Sequence, residues 1–337
     1  MLRIKLFYLF LFNAALLLIF APKASREPVS YGLFLLVTVG ILCIVRKIAK
    51  NRQTETRLKS GGALMWKRLS RNKNALFGLG VLTILMYASI LAPFITPHDP
   101  LEIDWSALNQ GISEAHWLGT DDMGRDTFSR AVFGTRVAVG IGVTAVFLNT
   151  LLGTTLGLVA GFYGGKVDNI IMRALEIWNS IPFILLAIAI MAALGTGIGK
   201  LIIIISLSNL MAFARIIRGS VLLVKESDYI AAAKVIGIPD THILLKHVLP
   251  NCVSPILVLA SLSIGETILV IAGLSFLGLG IQPPMPSLGA MLSNGQQFLH
   301  DNILLSFVPG IAILLIVLSF NLFGDGVRDA LDTKLTD

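Results

Sequence analysis

Apolar runs long enough to cross a membrane recur along this chain, and that recurrence restricts it to one fold class. A helix needs about 20 apolar residues to traverse hydrocarbon. Runs of that order lie at 75–95, 137–162, 170–194, 256–281 and 302–323, with a shorter one at 201–213. Backbone polar groups inside a bilayer are satisfied within helices, so we expect an all-α membrane protein, a polytopic helical bundle. Soluble domains of this length do not combine 55% hydrophobic with 14% charged residues.

Two further runs, 6–20 and 31–45, are separated by APKASREPVS and read as a hydrophobic hairpin within residues 1–50. A cleaved signal peptide followed by one span is the rival reading, because the first run is short, starts basic at Arg3 and Lys5, and ends in small residues. The second run directly behind it favours the retained hairpin. Residues 51–74 read as a basic linker. From Arg46 to Lys73 there are ten Lys or Arg against the single acid Glu55, which places this segment in the cytoplasm, with Trp66 as an interfacial anchor. The formal charge of +7 lies in such loops, so it reports topology and not nucleic-acid binding. Cys43 and Cys252 both fall near the cytoplasmic side, which argues against a disulfide.

Residues 75–134 hold the first core span and an acidic loop carrying Asp99, Glu102, Asp104, Glu114, Asp121, Asp122 and Asp126, which we place outside. Its HWLGTDDMGRD segment has two readings. His116, Asp121, Asp122 and Asp126 are metal-ligand types. Equally, Gly119 and Gly124 with the Asp residues and Arg125 are what a compact turn with local Asx bonds and an Arg–carboxylate pair requires. The turn is the preferred reading, and no metal is expected.

Residues 135–325 form the rest of the bundle, and 326–337 a cytoplasmic tail. Gly140, Gly142, Gly153, Gly157 and Gly161 are spaced for close helix contact. Glu176, Asn179 and Glu266 fall inside spans, where polar groups mark a pathway by default. The alternative is that Glu266 bonds Ser263 or a neighbouring helix and that Glu176 reaches the wet cytoplasmic surface. Pro182 predicts a kink. Counting the hairpin, eight spans follow, with both termini inside.

One polar stretch, 217–255, interrupts the second half. It predicts two short amphipathic helices. Residues 227–236 put Tyr229, Ile230, Ala232, Ala233 and Ile236 opposite Ser227 and Lys234. Gly237 is an elbow and Asp240 an N-cap. Residues 241–249 set Leu244, Leu245, Val248 and Leu249 against His242, Lys246 and His247, until Pro250 stops the helix. His242 and His247, five apart, do not share an α-helical face. Residue chemistry leaves two roles open for the stretch: covering the cytoplasmic mouth of the bundle, or docking a partner.

Residues 231–250, AAAKVIGIPDTHILLKHVLP, resemble the cytoplasmic signature of ABC importer permeases through Ala232, Ala233, Gly237, Leu249 and Pro250. Ala231 replaces the usual first Glu, and His247 stands where Ile is common. HWLGTDDMGRDTFSR, YGGKVD, ARIIRGSVL, LSFLGLGIQPPMPSLGAML and FNLFGDGVRDALD resemble, in order, the dipeptide and oligopeptide permease group across about residues 65–333, with Thr333 where Pro is common. The hairpin lies outside the resemblance.

The resemblance implies a type I ABC importer transmembrane domain in the bacterial inner membrane. It implies four partners: a second permease subunit as heterodimer, two ABC ATPase subunits and an external substrate-binding protein. The ATPases would dock on Ala231, Ala232, Ala233, Lys234, Gly237, Leu245, Lys246, Leu249 and Pro250. The binding protein would face the loop of Gly119, Asp121, Gly124, Arg125 and Asp126. The chain itself would bind no cofactor and do no catalysis, with ATP and Mg on partner subunits. The absence of a GxxxxGK[ST] loop agrees with this. The implied cargo is di- or oligopeptides, with nickel chelates, glutathione or another small solute as the alternative. A membrane-embedded enzyme or receptor is the reading from a different class, and no HExxH or Ser/His/Asp arrangement favours it.

Overall fold

The computed structural model describes residues 65, 66 and 68–331. The hairpin and most of the basic linker lie outside the described residues, as does Cys43. Among the described residues five helical stretches are long and apolar enough to cross a membrane, and a sharply bent helix pair makes a sixth. These are the six core spans expected.

Helix α1 (Lys73–Ile90) starts at Asn72, whose side-chain oxygen accepts from the N–H groups of Asn74 and Ala75 at 3.1 Å each. The same side chain donates to Asp329 Oδ2 at 3.1 Å, which ties this start to the far end of the chain. A short α2 (Ala92–Ile95) leads into the acidic loop. Helix α3 (Thr127–Tyr163) then runs 37 residues without a break, eleven more than the apolar run alone indicates. The excess is its polar first turns, capped by Asp126.

Helix α3 is the centre of the bundle. Gly153, Gly157 and Gly161 lie one turn apart, and α7 (Leu210–Lys225) presses against them. A Cβ at these positions would fall 2.5 Å from Phe213 Cβ, 2.6 Å from the Ala214 carbonyl oxygen and 2.8 Å from Val221 Cβ. Backbones approach this closely only over glycine.

Two spans are broken. Helix α4 (Gly165–Asn179) and α5 (Phe183–Leu194) meet at 82°. The bend falls at Pro182, which has no N–H to continue the helix. Helix α6 (Ile198–Ser206) ends before α7 begins, and the interval is bridged from outside. Asn149 Nδ2 of α3 donates to the Ser206 carbonyl at 2.8 Å, and Trp178 Nε1 of α4 donates to the Leu207 carbonyl at 3.0 Å. Helix breaks at membrane depth persist where side chains satisfy the freed backbone in this way. The span therefore extends to Lys225, past Arg215 and Arg218, where sequence reading would end it.

The polar stretch departs from expectation in three ways. Helix α8 (Asp228–Val235) buries only Ile230 and Ala233, while Tyr229, Ala232 and Ile236 are exposed. Eight residues give one narrow inward stripe, not a broad face. In α9 (Asp240–Ile243) the N-cap position belongs to Pro239, and Asp240 is the first helical residue, where an acid suits the positive end of the dipole. Finally, Pro250 does not stop the helix. Leu244–Val248 winds as a π-turn and leads into α10 (Leu249–Asn251), where Pro250 occupies a first-turn position that requires no N–H donor. The wider winding leaves Leu245 exposed and brings the His242 and His247 rings to 6.0 Å, although an α-helix would separate them.

Helix α11 (Val253–Phe276) crosses next, α12 (Leu288–Gly295) lies at the far end, and α13 (Leu304–Leu331) returns. The GVRDAL segment, residues 326–331, read above as the start of a tail, completes α13. Cys252, a free thiol at the junction before α11, is buried among Ile230, Ile243 and Val248. Burial pushes it up to about 11. At pH 8 about one such thiol in a thousand is ionised. In a Cys43→Ser protein we expect maleimide to leave native Cys252 unlabelled at pH 8 and to label it fully in SDS. Rapid native labelling at that pH contradicts the packing.

Candidate functional site

The turn at 119–126 is built from carboxylates facing backbone donors. Asp121 Oδ1 accepts from the N–H groups of Met123 and Arg125, each at 3.0 Å, and Asp121 Oδ2 takes Arg125 Nε at 2.8 Å and Arg130 Nε at 3.3 Å. Gly119 and Gly124 have φ of 75° and 74°, the left-handed conformation that glycine adopts freely, and a Cβ on Gly124 would collide with the Asp104 carbonyl. Ser106 donates its N–H and hydroxyl to Asp104, which holds that carboxyl below its usual range.

Asp126 accepts three hydrogen bonds. Its Oδ1 lies 3.0 Å from His116 Nδ1, and its Oδ2 accepts from Ser129 N–H at 2.8 Å and Ser129 Oγ at 2.6 Å. The compact turn with local Asx bonds and an Arg125 pair is therefore what forms. The four-residue metal constellation is not: Asp121 and Asp122 serve Arg125. The group with metal-ligand spacing is instead His98, His116 and Asp126, whose ligand atoms lie within 4.8 Å. His98 comes from 18 residues before His116 and stacks on it at 4.5 Å. With Asp126 already accepting three hydrogen bonds, this cluster holds the loop to the start of α3.

Within the bundle, polar groups gather along two elements. Helix α4 is strongly amphipathic, and Asn169, Arg173, Glu176 and Ser180 recur along one stripe while Ile170 and Ile177 occupy another. Arg173 Nη1 pairs with Glu176 Oε2 at 2.9 Å. The ends of α4 are located by its bonds to α7. Asp168 receives Arg218 through two 2.5 Å contacts near the start of α4, and Trp178 reaches the α6–α7 break. The stripe runs from Asn169 to Ser180, and Asn179, also exposed, lies off it. At the break Asn209 Nδ2 donates to Glu266 Oε2 at 3.3 Å, so Glu266 bonds a neighbouring helix and not Ser263. A polar stripe at membrane depth faces water or protein, because lipid cannot solvate it.

At the opposite end, Ala231, Ala232, Lys234, Gly237, Leu245 and Lys246 are exposed, Leu249 and Pro250 are half-buried, and Ala233 is buried against its own bundle. Gly237, at φ 78°, is the elbow. Helix α8 is joined to α3 through Phe162. Lys234 Nζ lies 5.2 Å and Lys225 Nζ 5.9 Å from the Phe162 ring centroid, and Lys225 Nζ also donates to the Phe162 carbonyl at 2.5 Å. Asn209, Arg173, Trp178 and Phe162 were not singled out by sequence reading. Only Asn209 carried a signal, the polar SLSN run between two apolar ones.

Broken spans, a polar stripe at membrane depth and exposed short helices at one end define a polytopic helical transport protein. Residues 153–337 match the family described as binding-protein-dependent transport system inner membrane component, and residues 60–111 match the N-terminal TM domain of oligopeptide transport permease C. The chain belongs to the binding-protein-dependent transport system inner membrane component family. It is a multi-pass permease of the ABC importer class in the inner membrane, and that family is one of transport proteins, not enzymes.

It is 44% identical over 272 residues to the glutathione transport system permease protein GsiD of Pectobacterium atrosepticum, covering 80% of this chain and 90% of that one. It is 44% identical over 270 residues to the dipeptide transport system permease protein DppC of Alkalihalophilus pseudofirmus, covering 80% and 89%. To DppC of Haemophilus influenzae it is 40% identical over 276 residues, covering 80% and 94%.

Proposed function

We propose that this permease carries short peptides inward across the bacterial cytoplasmic membrane as one half of a heterodimer with a second permease subunit. Two ATPase subunits, holding ATP and Mg, dock on the exposed residues of 231–250, and an external binding protein delivers cargo to the loop of Gly119, Asp121, Gly124, Arg125 and Asp126. Both termini are cytoplasmic. Glu176, Asn179 and Glu266 line the path. The observation that carries this reading is the pairing of Asn209 with Glu266 at a helix break, two polar groups between apolar spans. Discontinuous helices form substrate sites in many transporters.

Uptake assays in a strain lacking the gene test it. Loss of dipeptide and tripeptide uptake, restored by the gene, is the expected result. Unchanged uptake of all peptides sinks it. The relative named for glutathione gives a second cargo reading, and glutathione and nickel-chelate arms in the same assay decide between them. Docking predicts a cross-link from cysteine at Leu245 or Ile236, both exposed, to a co-expressed ATPase. A functional complex without that cross-link removes the docking assignment.

A further inference from the structure

Three polar side chains share one level of the bundle, away from the α4 stripe. Asn209 stands at the break before α7, Glu266 lies in α11, and Asn321 lies in α13. Glu266 is thirteen residues, about 20 Å, from the start of its helix. Helix α11 packs between α7 and α13. On one side Asn209 Nδ2 donates to Glu266 at 3.3 Å. On the other, a Cβ added to Gly265 would lie 2.7 Å from Asn321 Oδ1. Glu266 and Asn321 are exposed and Asn209 is half-buried.

Charge separates Glu266 from the acids of α4. Glu176 is paired with Arg173, and Asp168 with Arg218. Among the described residues no Lys, Arg or His lies within ion-pair distance of Glu266, and its one side-chain hydrogen bond is to Asn209. An ionised carboxylate has about four acceptor positions. Exposed to lipid, such a group is costly, so it faces a watered space. What completes it there is a positive group.

We propose that Glu266, oriented by Asn209, is a cation subsite of the path. It takes the ammonium group of the cargo, the free α-amino group or a lysine side chain of a short peptide, as the cargo passes the helix break. This rests on the importer reading above and adds to it the charge that the path selects.

Glu266→Gln keeps the shape and the bond to Asn209 and removes the charge. Uptake of alanyl-lysine and of alanyl-glutamate is measured in proteoliposomes holding the complete transporter, both permease subunits and both ATPases, with ATP in the lumen and the binding protein outside. The same binding protein serves both variants, so a change in the ratio of the two rates comes from the permease. In E266Q the ratio of alanyl-lysine to alanyl-glutamate uptake falls about fivefold. In Glu266→Asp it stays within about twofold of wild type. An unchanged ratio in E266Q overturns the subsite, even where both rates fall together, because a purely structural role produces a common fall. If the wild-type protein takes up neither peptide, the peptide-importer reading fails first and the subsite fails with it.

Discussion

Replacing Gly157 with isoleucine is expected to cut the amount of folded protein in the membrane to below about a tenth of wild type. The new Cβ would stand 2.6 Å from the Ala214 carbonyl oxygen and 3.0 Å from Ile217 Cβ. The first of these is backbone inside a helix and cannot rotate away. Helices α3 and α7 must separate instead, and with them the adjacent contacts at Gly153 and Gly161. Ordinary overpacking costs about 1–3 kcal/mol, and parting two helices along three turns exceeds it. Gly219→Ala is the matched control on α7: no atom lies within 4 Å of the added carbon, and alanine favours a helix interior by about 0.5–1 kcal/mol over glycine. Monodisperse yield after detergent extraction reads both. A G157I protein at wild-type yield would show that α3 and α7 do not meet as described.

Asp126→Ala should lower the thermal midpoint sharply and open the acidic loop to protease. The carboxylate is buried and receives His116 and both donors of Ser129. Losing an N-cap costs about 1–2 kcal/mol, and leaving a buried donor unmatched costs about 1–3 kcal/mol more. The sum, about 3 kcal/mol, falls on the junction between loop and bundle. Asp126→Asn recovers part of it, since asparagine also caps. If D126A melts with wild type, the His116–Asp126–Ser129 arrangement contributes nothing to the fold.

How much of this was legible in the sequence depends on the distance over which each feature is determined. The spans were, because about twenty apolar residues in a row leave a backbone no other solution in a bilayer. So was the turn at 119–126, where Asp, Gly and Arg lie within a few residues of their partners. The close approach at Gly153, Gly157 and Gly161 was visible as spacing, although nothing in the sequence named α7 as the element that fills it. The π-turn at Leu244–Val248 was not visible, because LLKHV is an ordinary helical pentapeptide, and it alone reverses the facing of Leu245 and unites His242 with His247. The Asn209–Glu266 pair joins residues 57 apart. Glu266 was noticed as an acid in a span, but its partner exists only once α7 and α11 are side by side. The breadth expected of α8 was too great because Tyr229, Ala232 and Ile236 are apolar for a surface that the chain itself does not cover.

The unbroken length of α3 sets what the rest of the bundle can do. At 37 residues it is a rod of about 55 Å, nearly twice the hydrocarbon thickness of about 30 Å. One end is clasped by the His116–Asp126 turn and the other by Lys225 and Lys234 around Phe162. Pivoting such a rod by about 10° about its midpoint carries each end about 5 Å, in opposite directions. A displacement at the Phe162 clasp would therefore be matched, with its sign reversed, at the His116–Asp126 end of the same helix.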